Sequence, residues 1–100
     1  MYYDYPVHVF LTSEGYFKKI TPQSLRMIGE QKLKEGDSIC QTAESTNKSE
    51  VIFLTDKAQA YKCRLHEFDD GKASLLGDYL PQKLQMSEGE HVRFLVLPGN

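Results

Sequence analysis

No apolar run in the 100 residues approaches the roughly 20 that a membrane-spanning helix requires. The opening Met1-Tyr2-Tyr3-Asp4-Tyr5 has no basic segment and no apolar stretch behind it, so no export signal is expected there. Cysteine occurs only twice, at Cys40 and Cys63, without the close spacing of metal ligands. Reduced thiols embedded in strands are the expectation. Helix-period patterning of useful length is missing, which argues against a helical core. No Ser/His/Asp order, phosphate loop or clustered metal-ligating set appears. His8, His66 and His91 have no partner spacing, and Asp69-Asp70 beside Gly71 reads as turn chemistry.

What is present is an ordinary globular composition: 40% hydrophobic, 26% charged, mean hydropathy −0.49. That argues against disorder, and the length suits one small domain with a modest core. The net charge is only −2, which argues against a generally DNA-adhesive protein. Charge nevertheless alternates in blocks. Residues 16–34 carry Lys18, Lys19, Arg26, Lys32 and Lys34 against Glu30 alone. Residues 35–56 carry Glu35, Asp37, Glu44, Glu50 and Asp56 against Lys48 alone, and Lys57, Lys62 and Arg64 follow. A small sum can hide a basic edge if the positive blocks share one side of the fold.

An internal repeat organises the chain. His8-Val9-Phe10-Leu11-Thr12 lies over Val51-Ile52-Phe53-Leu54-Thr55 at an offset of 43 residues. The same offset places Lys19 over Lys62, Ile20 over Cys63 and Leu25 over Phe68. Further on, Glu35-Gly36-Asp37-Ser38-Ile39 matches Glu88-Gly89-Glu90-His91-Val92 at an offset of 53. The ten extra residues fall in a connection, where insertions are tolerated. The first repeat spans about 6–48 and the second about 49–97 of a single domain.

Each unit reads as β. Val7 to Thr12 is apolar and β-branched, and Ser13-Glu14-Gly15 suits a hairpin loop with Gly15 left-handed. Tyr16 to Ile20 returns. Thr21-Pro22-Gln23-Ser24-Leu25 predicts a short helical turn, capped by Thr with Pro in its first position. Ser38 to Thr42 predicts a strand and Glu44 to Ser49 a polar loop. In the second unit Glu50 to Thr55, Gln59 to Arg64 and Glu90 to Leu97 are the expected strands, and residues 76–81 are irregular. Short strands at regular intervals with several per unit predict an all-β, blade-like architecture. Ala58 stands where Gly15 stands in the first unit, which puts the left-handed turn there in question.

The run from Val9 to Ile20 is an apolar strand ending in Thr, a Gly turn, an aromatic and a basic pair. It resembles the repeat signature of the C-terminal domain of the A subunits of DNA gyrase and topoisomerase IV. Leu75-Leu76-Gly77-Asp78-Tyr79-Leu80-Pro81, followed by Leu84 and Glu88-Gly89-Glu90, is similar to the linker of topoisomerase-IV-like members. The resemblance covers about Pro6 to Leu97. It implies tandem four-stranded antiparallel blades of a β-pinwheel, two of them, in an incomplete ring. The arginine- and glycine-rich basic box of gyrase is absent, but that box belongs to one blade only.

The resemblance implies a non-catalytic, cytoplasmic module. It binds and bends double-stranded DNA by nonspecific backbone contacts, beside the remaining A-subunit domains and the B subunit. It implies no cofactor here, ATP and magnesium belonging to the parent topoisomerase, whose catalytic tyrosine lies in another domain. Lys18, Lys19, Lys62 and Arg64 are the leading DNA candidates, and Arg26 and Lys32 follow. Strand neighbours point to opposite faces, so Lys18 and Lys19 serve together only at an outer edge. The rival reading is a protein-interaction or structural β module, which the acidic balance favours. Open blade edges predict strand exchange or dimerisation of such a fragment. An RNA-binding barrel fits less well, because Phe10 and Phe53 sit at repeat-equivalent core positions.

Overall fold

A computed structural model describes residues 3–27 and 30–99. Its first hairpin pairs β1 (Pro6–Thr12) with β2 (Tyr16–Ile20). Gly15 takes φ 97° in the connecting turn. Thr12 ends the strand because its hydroxyl accepts the Tyr16 amide at 3.0 Å while its carbonyl accepts that of Gly15. The second hairpin, β4 (Glu50–Thr55) and β5 (Ala60–Arg64), is closed in the same way, with the Thr55 hydroxyl accepting the Gln59 amide at 3.2 Å. Ala58 takes φ 59° there. The turn geometry therefore survives the loss of glycine, at the steric cost that a Cβ brings to the left-handed region.

Helix α1 (Pro22–Met27) starts where Thr21 caps it, its hydroxyl accepting the Ser24 amide at 3.3 Å. Strand β3 (Ile39–Thr46) runs four residues past the expected end. Its alternation is polar on the exposed side, Thr42, Glu44 and Thr46, with only the half-buried Ala43 and Ser45 opposite. A strand with so little apolar content looks like a loop in the sequence. Residues 65–67 form a 3-10 turn, and β6 (Asp78–Tyr79) and α2 (Leu80–Lys83) structure the stretch expected to be irregular. Strand β7 (Val92–Val96) starts two residues later than expected. Glu90 belongs instead to the preceding turn, where it is buried and accepts from Thr55 and Tyr61.

Two antiparallel sheets result, one ordered β3-β1-β2-β6 and the other β5-β4-β7. Their registers coincide. Val9 faces Lys19 and Ala43, while Ile52 faces Lys62 and Val96. Each sheet has its irregularity at the same place, between Leu11 and Thr12 and between Leu54 and Thr55. The difference lies at one edge. Strand β6 pairs with β2 through Tyr16–Tyr79 and Phe17–Asp78, whereas β5 has no such partner among the described residues.

The sheets stack front to back. Val7, Val9, Leu11 and Phe17 form the back of the first sheet. They pack on Val51 and Phe53, which lie on the front of the second, at positions equivalent to His8 and Phe10. Leu65, Phe68 and Leu80 fill the layer between. Phe17, Phe53 and Phe68 meet there, with ring centroids 4.8 to 5.9 Å apart, a geometry that adds about 0.5–1.5 kcal/mol per pair beyond area burial. Gln41 ties the layers by mimicking a strand partner. Its amide nitrogen donates to the Leu95 carbonyl at 2.8 Å, and its oxygen accepts the Leu95 amide at 2.9 Å. The front of the first sheet carries a smaller core, in which Phe10 and Ile20 are covered by Ala73, Leu25 and Ile39.

Candidate nucleic-acid interface

The basic pair does not face solvent. Lys18 and Lys19 are only 2% and 3% exposed. Strand β2 is interior, flanked by β1 and β6, so one lysine enters each covered face. On the front, the Lys18 ammonium donates to the Lys32 carbonyl at 2.7 Å, to Gln31 Oε1 at 3.3 Å and to the Ala73 carbonyl at 3.4 Å. Burial pulls its pKa down from the ordinary lysine value, with Asp37 opposing. On the back, the Lys19 ammonium donates to Asn47 Oδ1 at 2.6 Å and to the Leu65 carbonyl at 3.0 Å, and pairs with Asp70 at 3.1 Å. Asp70 also accepts the Tyr5 hydroxyl at 2.7 Å. Burial first, and Asp70 second, push the Tyr5 pKa up to about 12. The expectation that this pair reaches phosphates is therefore corrected: these ammonium groups hold the fold together.

The other expected contacts are at the surface. Lys62 has a side chain 66% exposed, 3.7 Å from Glu50. It occupies in the second sheet the position that Lys19 occupies in the first. The second sheet covers Lys19, and no described residue covers Lys62 in that way. Arg64 is exposed on the same edge strand and donates to the Lys48 carbonyl at 3.2 Å. This joins Lys48, Lys62 and Arg64 into one cationic margin at the open edge of the second sheet. Arg26 is exposed in the last turn of α1.

Lys32 is exposed as well, and its amide donates to the Ala73 carbonyl at 2.7 Å. That bond brings Lys32 beside Lys72, which sequence reasoning overlooked because it sits in an acidic stretch. Both line a cleft of about 520 Å3 between β2 and residues 69–78. The cleft is mixed in charge, since Asp69, Asp70 and Asp78 line it too. Gly77 is part of its lining. A Cβ at that residue would stand 2.6 Å from the Phe17 carbonyl oxygen and 2.7 Å from Lys18 Cγ.

The remaining polar groups of interest are structural. His91 pairs with Asp56 at 3.1 Å, and His8 lies 3.6 Å from Glu44. Tyr3 is exposed and Tyr5 packs against the core, while Tyr2 lies outside the described residues. Cys40 and Cys63 are free thiols on different sheets, and burial raises the Cys63 pKa. Among the described residues no group of three or more His, Cys, Asp or Glu side chains could hold a metal ion. No described helix is long and apolar enough to cross a membrane.

No family model and no curated protein sequence matches the chain. Solved structures do. The C-terminal domain of DNA topoisomerase IV superposes with a TM-score of 0.89 at 20% identity, over 100% of this chain and 32% of that one. The C-terminal domain of E. coli ParC gives 0.76 at 20% identity over 94% and 37%. The C-terminal domain of DNA gyrase A gives 0.70 at 12% over 96% and 33%. The chain thus has the β-pinwheel blade fold of these domains and spans about a third of their length.

Proposed function

We propose that this chain is a DNA-binding module of a type II topoisomerase A subunit. It holds and bends duplex DNA through nonspecific contacts to the phosphate backbone. What carries the reading is the match of the whole chain to topoisomerase IV and gyrase C-terminal domains. The distribution of cations supports it: apart from Lys18 and Lys19, every lysine and arginine is exposed. Two clusters suit phosphates spaced along a backbone, Lys48, Lys62 and Arg64 on the open edge and Lys32 with Lys72 beside the cleft. Arg26 adds to them. The module is itself non-catalytic. ATP, magnesium and the DNA-cleaving tyrosine belong to the rest of a cytoplasmic parent enzyme formed with the B subunit.

Titration of a nonspecific duplex by fluorescence anisotropy tests this. Affinity should fall steeply with salt, because each neutralised phosphate releases counterions. Lys62→Glu/Arg64→Glu and Lys32→Glu/Lys72→Glu should each weaken binding and flatten the salt slope by about 1 per contact removed. Binding that is undetectable at low salt, or indifferent to both charge reversals, would defeat the proposal.

A further inference from the structure

The two oxygens of the Asp37 carboxyl are held very differently. Oδ1 accepts the amide of the next residue, Ser38, at 2.7 Å, and the Glu14 amide at 3.0 Å. Oδ2 is buried and meets no hydrogen-bond donor among the described residues. The bond from Ser38 closes a seven-membered ring and is therefore bent, so the nitrogen stands about 3–3.5 Å from Cγ, the range of a near-attack contact. Three requirements of cyclisation meet at this carboxyl. An amide nitrogen lies against Cγ, and a second amide polarises the oxygen that becomes negative. The remaining oxygen is the one left to take a proton and depart. The serine that follows is exposed and small.

By chain chemistry alone Asp70-Gly71 is the more reactive pair, because glycine hinders attack least. There the fold shields both reacting groups. The Gly71 amide donates to the Lys19 carbonyl at 2.7 Å, Asp70 Oδ1 pairs with the Lys19 ammonium at 3.1 Å, and Oδ2 accepts the Tyr5 hydroxyl at 2.7 Å. The second repeat supplies a further contrast. Glu90 stands where Asp37 stands in the first. It accepts from Thr55, Tyr61 and the Ser87 amide, while the amide that follows it, from His91, donates to Asp56 at 2.9 Å.

We propose that Asp37-Ser38 is a self-modifying site: in the folded chain this peptide link cyclises and reopens as isoaspartate. The Ser38 nitrogen bonds to Cγ, its proton and the Oδ2 hydroxyl leave as water, and a five-membered imide forms. Water then adds to one of the two imide carbonyls. Opening at Cγ restores aspartate, and opening at the Asp37 main-chain carbonyl leaves the chain running through Cβ. The steps balance with water alone, and nothing is oxidised or reduced. The product carries one extra main-chain atom at the entry to β3, where the Ser38 carbonyl holds the Ser13 amide at 2.8 Å. That lengthening loosens the clasp on the first hairpin turn and leaves the second, whose carboxyl is Glu90, unaltered.

Incubation of the intact chain for weeks near neutral pH, folded and in urea, tests this. Peptide mapping with electron-transfer mass spectrometry distinguishes isoaspartate from aspartate at each position, and isoaspartyl methyltransferase counts the total. Isoaspartate at Asp37 should accumulate roughly tenfold faster in the folded chain than in urea, as an oriented attacker gains over a free one. At Asp70 the order should reverse. Asp37→Glu, which takes the residue of the second repeat, should abolish the folded-chain signal. A rate at Asp37 that rises on unfolding would overturn the proposal. So would a folded chain that forms no isoaspartate at Asp37, or forms it first at Asp70.

Discussion

Lys19 and Lys62 hold equivalent positions in equivalent hairpins, and only one of them is covered. Replacing each by methionine keeps the stem and removes the ammonium. At Lys62 little is lost. Its pairing with Glu50 at 3.7 Å lies in solvent, and exposed pairs of this kind contribute about 0–1 kcal/mol. At Lys19 the loss leaves Asn47 Oδ1 without its ammonium donor in a buried layer, while the Leu65 carbonyl keeps the Phe68 amide at 3.0 Å. A stranded buried acceptor costs about 1–3 kcal/mol. Asp70 contributes less, because its side chain is 40% exposed and water can replace the ammonium. Relief of the lysine's own desolvation offsets part of the total. The net expectation is about 1–3 kcal/mol for Lys19→Met against about 0.5 kcal/mol or less for Lys62→Met.

Urea unfolding followed by far-UV circular dichroism separates the two. Lys19→Met should lower the midpoint with an unchanged slope, and lower Tm by on the order of 5–20 °C for a chain of this size. The loss should persist at high salt, since a buried contact is poorly screened. If Lys19→Met shifts the midpoint no further than Lys62→Met, the covered-versus-open distinction between the two sheets is wrong.

Three further outcomes follow from local geometry. Ala58→Gly relieves a Cβ held at φ 59° and should stabilise the chain by about 0.5–1 kcal/mol in the same unfolding assay. Gly77→Ala does the reverse. Strain at φ 99° adds to a clash with the Phe17 carbonyl, and a loss of about 2–4 kcal/mol is expected, with faster hydrogen exchange of the Lys32 amide. The Tyr5 pKa is raised, so its contribution is complete below the unfolded tyrosine value of 10 and is lost as pH rises through about 12. Ultraviolet titration should show late tyrosine ionisation in the wild type, from Tyr5 and from Tyr61 beside Glu90, and Asp70→Asn should move the Tyr5 part of it toward 10. A late phase that Asp70→Asn leaves entirely unmoved would contradict the Tyr5–Asp70 contact.

What the sequence made legible was local. The alternation of Val7 to Thr12, the threonine-ended strands and the offset of 43 residues suffice to place both hairpins, because each needs only its own turn and its own pleat. Burial of the basic pair was not legible, because its causes are distant. The Leu65 carbonyl lies 46 residues from Lys19, and the Ala73 carbonyl 55 from Lys18. The strand that removes β2 from the edge comes from residues 78–79. A lysine in a strand reads as surface until something is known to cover it, and only the fold supplies the cover. One signal was present all the same. If Lys19 and Lys62 are equivalent, and one module must lie over the back of the other, both cannot be solvated: the lysine of the covered module must be buried and needs acceptors from its neighbour. Counting the modules that stack, before assigning charge to a ligand, turns a repeated cation from a binding signature into a test of which copy is covered.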